Sequence, residues 1–514
     1  MFNLSTLLES SALKYPKRTS FTYNNTSLTY TQLNEAANQV ANGLIASGIK
    51  KGDKVALSCL NIPYFPIVYF GILKAGAVVV PLSVLLKEKE VAYHLKDSEA
   101  KAYFCFVGND ALPMGERGFK GFSNAPNCDN FYIIMPDVAM KSSIKGAATL
   151  SMLMNNQSTN LDTVFTLADD TALIIYTSGT TGKPKGAELT HSNIFMNAMI
   201  SKELLGMTHE DKSLVALPLF HIFSMTVLMM NIVYNGAEGV LLPRFDAKQA
   251  IDTMISNNVT IFAGVPTMYW ALINCEISES EILQIGKNLK TAISGGASLP
   301  IKVLETFEEK FNVKILEGYG MSEGSPVVTF NQKSVGCKPG SVGTPVWGVQ
   351  VKLVNADGVE VKRGEKGELI YRGHNVMKGY YKKPEANAKT LKNGWLYSGD
   401  IATKDKDGFY YIVDRTKDMI IRAGLNVYPR EVEEVMMQHD AVSLVAVIGI
   451  PNEEKGEEIK AFVVLKPEIQ VTEDELMLWT KERIADYKYP RVIKFIKNLP
   501  MSATGKILKK ELRK

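Results

Sequence analysis

Short β-branched runs recur through the first two thirds of the chain, separated by stretches whose apolar residues follow helical spacing. They are KVALSCL (54–60), AVVVPL (77–82), KAYFCFV (101–107), FYIIM (131–135), ALIIYT (172–177), SLVALP (213–218), GVLLP (239–243), TIFAGVP (260–266) and KTAISGG (290–296). Strand and helix alternating at this distance predict largely parallel sheets wrapped by helices. From about Val351 the pattern shortens and turns polar, with Gly-containing turns (VKLVNADGVEVKRGEKGELIYRG, 351–373), which predicts antiparallel hairpins. A further boundary follows DGFYYIVDRTKD (407–418). Beyond it stand a helical PREVEEVMMQHD (429–440), strands LVAVIGI (444–450) and EEIKAFVVLK (457–466), and a helical TEDELMLWTKERIADY (472–487). That is enough chain for a separate small α+β domain.

One apolar stretch needs its own reading. Residues 63–86 are almost uncharged over the length a bilayer requires, but Pro63, Pro66, Lys74, Gly76 and Pro81 interrupt them. A buried helix that feeds a buried strand accounts for the segment better than a membrane span.

With 514 residues the chain exceeds one ordinary core, so two or more units are expected. The formal net charge of +4 is small. Lys and Arg gather only at 506–514, which reads as a solvated terminal helix, so no nucleic-acid partner is expected. The five cysteines are scattered, without CxxC spacing, as in a cytoplasmic protein with reduced thiols. The first twenty residues lack the charged start and continuous apolar core of an export signal.

The candidate chemistry centres on residues 176–186, YTSGTTGKPKG, which place three glycines, four Ser/Thr hydroxyls and two lysines in one loop. Glycines let backbone N–H groups approach phosphate oxygens, hydroxyls donate to them, and lysines offset their charge. The loop is not a Walker A sequence, because Pro184 follows Gly182–Lys183 where Ser or Thr is required.

This loop resembles the signature of the adenylate-forming superfamily of acyl-CoA synthetases, 4-coumarate ligases, luciferases and peptide-synthetase adenylation domains. The resemblance continues in order through LPLFH (217–221), GVPTMY (264–269), SGGASLP (294–300), EGYGMSE (317–323), GSVGTP (340–345), GWLYSGD (394–400), DRTKDMI (414–420), GLNVYPREVEE (424–434) and PMSATGK (500–506). In texture the chain is most similar to bacterial fatty-acyl-CoA ligases.

The resemblance implies an α/β fold. Its large N-terminal domain (1–415) would contain two parallel sheets flanked by helices plus a small β-barrel at about 340–415. A small mobile α+β lid (416–514) would turn about a hinge at Lys417. It implies an enzyme that joins a small-molecule carboxylic acid to coenzyme A by way of an acyl-adenylate, using ATP and Mg²⁺. Thr177, Ser178, Gly179, Thr180, Thr181, Gly182 and Lys185 would hold the β and γ phosphates. Glu323 would bind the metal through a hard carboxylate oxygen. Tyr319 would face adenine between Gly318 and Gly320, with Gly296 and Ala297 opposite and Glu317 and Ser322 close by. Asp400 would take the ribose hydroxyls and Arg415 would add a donor fork. Lys506 would reach the α-phosphate and the carboxylate, and Gly424 would leave room for pantetheine.

His221 would orient the acid beside Ile222, Phe223, Met225, Val265, Met268, Tyr269 and Gly295. These segments carry no Arg or Lys, so a fatty acid of medium or long chain fits, an arylpropenoate comes second, and a carrier-protein thiol is the alternative acceptor. No integral membrane segment is expected, and a homodimer is compatible with the sequence. Outside their motifs, Asp400 and Arg415 read equally as halves of an ordinary ion pair, and Tyr319 as a core tyrosine.

Overall fold

The structure, a computed structural model, describes the whole chain apart from residues 138, 178–182, 416, 468 and 514. Among the described residues the strands form four sheets of nine, five, eight and five strands. Every β-branched run named above becomes a strand of one of the two large sheets.

The eight-stranded sheet has a parallel centre (Lys54–Ser58, Val78–Pro81, Ala100–Phe106, Asn130–Ile134, Thr171–Thr177). The nine-stranded sheet is parallel through Lys212–Val215, Glu238–Leu241, Ile261–Gly264, Thr291–Ser294 and Ile315–Gly320. Both acquire antiparallel strands at their edges. Strands buried on both faces need apolar side chains at successive positions, and this is why these runs are continuous rather than alternating.

Helix Tyr64–Lys74 is buried from Phe65 onward and leads into strand Val78–Pro81, as expected of the apolar stretch. Lys74, 1% exposed, survives there by pairing with Glu9 at 2.5 Å. No helix of the described residues is long and apolar enough to cross a membrane.

The barrel expected near 340–415 is an antiparallel half-barrel of five strands (Val349–Val354, Gly367–Gly373, Leu391–Lys392, Trp395–Lys404, Tyr410–Arg415). Two short strands in that range leave it: Thr344–Pro345 joins the nine-stranded sheet and Gly379–Tyr380 the eight-stranded one. Residues 420–495 build the fourth sheet around the long hairpin Val442–Asn452 and Gly456–Leu465, with helices Pro429–Met436 and Glu473–Lys481. The basic tail is not simply solvated. Only Lys509–Leu512 is helical, Lys509 pairs with Glu433 at 2.8 Å, and Arg513 with Asp418 at 3.0 Å.

Candidate active site

The sequence between the phosphate-type loop and helix His191–Leu205 reads as a polar lead-in, but it is a strand. Lys185–Thr190 returns antiparallel along Thr171–Thr177, with Thr177 opposite Lys185, so a strand and not a helix follows the loop sequence. Ser178, Gly179, Thr180, Thr181 and Gly182 lie outside the described residues.

Below this hairpin lies a cavity of about 1230 Å³ into which several distant segments converge. Thr177, Lys183 and Lys185 line one end; Gly295, Gly296, Gly318, Tyr319 and Gly320 line the C-terminal ends of two parallel strands. Ser322 and Glu323 follow on a single 3-10 turn. Asp400 and Arg415 come from the half-barrel, and Lys417 and Lys506 from the C-terminal segment. His221, Ile222, Phe223 and Val265 complete the wall.

The polar groups are tied to one another. Asp400 is nearly buried; its Oδ2 accepts the Tyr319 hydroxyl at 2.6 Å and its Oδ1 meets Arg415 Nε at 3.2 Å. The buried Glu323 accepts the Tyr380 hydroxyl at 2.8 Å, and the Lys185 ammonium stands 4.2 Å from the centre of the same Tyr380 ring. A cation on that aromatic face, with the carboxylate on its hydroxyl, links the phosphate hairpin to Glu323 through one side chain.

Burial, with Arg415 and Lys417 adding like charge, pulls the Lys506 ammonium down to about 8. Gly505 beside it accepts the Thr267 hydroxyl on its carbonyl at 2.8 Å, which seats the 502–506 turn against the cavity wall. Burial, and next the charge of Lys506, lowers His221 to about 4. His221 Nδ1 accepts the Phe223 N–H at 3.3 Å, so the ring is neutral and its proton lies on Nε2.

Six expected site residues do not line this cavity. Met225 points into the core from a π-helix, Phe223–Met230, whose i→i+5 winding turns Phe223 and Val227 toward the cavity instead. Met268 is buried behind Val265 on helix Pro266–Ile273. The Tyr269 hydroxyl is spent on the Ile293 carbonyl at 2.7 Å and its ring packs between Phe262 and Phe307. Glu317 is buried beneath the loop before helix Ile301–Phe311 and accepts the Leu299 N–H at 3.0 Å, burial raising its carboxyl to about 7. Ala297 also stands off the lining. Gly424 sits outward at the tip of the hairpin Ile420–Arg422 to Leu425–Val427, where Ala423 and Gly424 have φ of 51° and 78°.

Other residues join the site without any signal in the motifs. Tyr380 does so from a two-residue strand. Ser201, Leu204 and Leu205 close the apolar branch from the last turn of helix His191–Leu205, with Phe330 across from them. The apolar residues of that helix favour no single face, so nothing in its spacing marked these positions.

Residues 8–381 match the family model described as AMP-binding enzyme, and 431–506 that of the AMP-binding enzyme C-terminal domain. The chain is 34% identical over 528 residues to a long-chain-fatty-acid–CoA ligase of Bacillus subtilis, covering 99% of this chain and 94% of that one. It is 35% identical over 504 residues to a feruloyl-CoA synthase of an Amycolatopsis species, covering 97% and 96%. The solved structure of an anthranilate CoA ligase in complex with anthranoyl-AMP superposes with a TM-score of 0.91 at 30% identity, over 100% of this chain and 96% of that one. These matches run nearly end to end, and all the motifs of the sequence except GSVGTP and GLNVYPREVEE contribute residues to one cavity; the chain belongs to the AMP-binding, adenylate-forming enzyme family, with acyl-CoA ligases as its homologues.

Proposed function

We propose that this protein activates a medium- or long-chain fatty acid with ATP and passes the acyl group to coenzyme A. The observation that supports the choice of acid is the apolar part of the cavity lining, Leu204, Leu205, Phe220, Val227 and Phe330, beside cationic groups that include Lys183, Lys185, Arg415 and Lys506. A second carboxylate would find no partner among those apolar side chains.

A free carboxylate is a poor acyl donor, because its oxygen is a bad leaving group. In this reading the acid's oxygen attacks the α-phosphorus, pyrophosphate leaves, and the acyl-adenylate then yields its acyl group to the thiol while AMP departs. Charge accumulates on phosphate oxygens, so the protein acts by positioning and electrostatics. Residues 177–182 and Lys185 hold the β and γ phosphates. Tyr319, Gly296 and Gly318 to Gly320 take the base, and Asp400 the ribose hydroxyls, with Arg415 beside them. Lys506 neutralises the α-phosphate and steers the carboxylate, and the neutral His221 orients it.

Glu323 suits Mg²⁺: it is a hard oxygen donor at the nucleotide end of the cavity, and its Tyr380 bond occupies one carboxylate oxygen. Mg²⁺ takes few protein ligands and completes its shell with phosphate and water. When bound, the ion would offset charge on the departing pyrophosphate. In the same reading residues 1–415 and 416–514 move as two bodies about Lys417, the second turning to bring Gly424 to the cleft for the thiol step, and the enzyme works in the cytoplasm.

Acid-dependent pyrophosphate release, measured from acetate to palmitate plus 4-coumarate and ferulate, with and without coenzyme A, tests the reading. Release with aliphatic acids and conversion of the adenylate to thioester are expected. A preference for ferulate would favour the second reading, an arylpropenoate ligase, to which the feruloyl-CoA relatives lend weight. An adenylate that free coenzyme A never relieves would point to a carrier-protein thiol.

A further inference from the structure

Helix Glu88–Asp97 lies outside every motif, yet it grips the phosphate hairpin on both sides of its turn. On the returning side, the Tyr93 hydroxyl donates to the Pro184 carbonyl at 2.7 Å. On the outgoing side, Asp97 Oδ2 accepts the Tyr176 hydroxyl at 2.9 Å, and the same carboxylate binds the Lys383 ammonium through Oδ1 at 2.6 Å. The His94 ring, whose Nδ1 lies 2.6 Å from the Glu90 carbonyl, stands edge-on to Tyr176 with centroids 4.5 Å apart. The Lys183 ammonium lies 5.8 Å from the centre of the Tyr93 ring. Tyr93 and His94 both reach the cavity wall beside Thr177 and Lys183.

A loop rich in glycine and hydroxyls binds polyphosphate only after its ends are ordered, and ordering a chain segment costs affinity. Tying both ends in advance removes part of that cost. We propose that Tyr93 and Asp97 are positioning residues for the polyphosphate of ATP, holding Tyr176 and Pro184 so that Thr177, Lys183 and Lys185 already face the β and γ phosphates. The proposal rests on the reading above that places those phosphates at this hairpin. It separates two nucleotides sharply, because AMP lacks the groups the hairpin would hold.

The test compares ATP and AMP binding by calorimetry on the full-length protein and on Tyr93→Phe and Asp97→Asn, alongside melting temperature. Tyr93→Phe removes the bond to Pro184, and Asp97→Asn removes the charge and leaves one amide oxygen where two acceptors served Tyr176 and Lys383, each with little change of shape. ATP affinity should fall about fivefold per lost hydrogen bond while AMP affinity stays within about twofold and the melting temperature falls by no more than about 3 °C. In turnover, KM for ATP should rise with KM for the acid unmoved. Equal loss for ATP and AMP, or no loss for either in both variants, overturns the proposal. A wild-type protein that binds ATP but releases no pyrophosphate with any acid would overturn the ligase reading, while the ATP-to-AMP comparison would still decide the role of the two anchors.

Discussion

Asp400 and Arg415 face each other across an antiparallel strand pair, Oδ1 to Nε 3.2 Å, and the Tyr319 hydroxyl bonds the other carboxylate oxygen. The carboxylate is therefore held in one orientation before any nucleotide arrives. Asp400→Asn removes the charge and one acceptor while keeping the shape. KM for ATP should rise at least about tenfold, from loss of charge-assisted hydrogen bonds of about 1.5–3 kcal/mol. Steady-state pyrophosphate release measures it, and an unchanged KM would sink the ribose role.

Lys506, lowered to about 8, is useful to phosphate only as the ammonium. Adenylation should hold below that value and fall as pH rises through it. The limb belongs to kcat/KM, which reports the free enzyme; in the ATP complex the phosphate charge pulls the ammonium back up, so the kcat limb lies higher. Lys506→Arg should move the kcat/KM limb upward at reduced rate, and Lys506→Ala should abolish adenylation while nucleotide binding persists. A limb that stays put in the arginine variant belongs to another group.

Gly505 has φ of +75°, and a Cβ there would stand 2.8 Å from Thr267 Oγ1 and 2.9 Å from Val265 Cγ2. Gly505→Ala should slow adenylation about tenfold or more, from backbone strain of about 1–2 kcal/mol plus the contact. Thioester formation from preformed acyl-adenylate should change much less, since the role proposed for Lys506, at the α-phosphate and the acid's carboxylate, belongs to adenylation. Equal slowing of both half-reactions would show that the turn is not specific to the first.

The Lys74–Glu9 pair joins the buried end of helix Tyr64–Lys74 to helix Thr6–Lys14, with Thr163 also donating to Glu9. Glu9→Gln leaves the Lys74 charge without its counterion and should cost about 1–3 kcal/mol of stability, at the lower end because Glu9 is partly exposed. Adding Lys74→Met to it should recover most of the loss. Urea midpoints decide, and a double variant no better than the single one would count against burial as the cause.

How much of this was legible in the sequence differs by element. The parallel strands were plain, because a strand covered on both faces has nowhere to place polar residues. The strand Lys185–Thr190 was not, because KGAELT has the polarity of a helix lead-in and its pairing partner precedes the loop. Motifs located segments of the acid wall but not their faces. Met225 and Val227 are two residues apart, and only the π-winding of Phe223–Met230 decides which of them meets the cavity. Tyr380 had no periodic context at all, since a two-residue strand leaves no pattern.

The meeting of Lys185, Glu323 and Tyr380 also bears on biosynthetic order. Translation delivers the cation, then the acid, and last the ring whose hydroxyl bonds the acid and whose face carries the cation. A ribosome-bound copy stopped between residues 323 and 380 would own both charges and no bridge between them. In that interval Glu323 lacks the hydroxyl that bonds it and Lys185 the aromatic face it stands on.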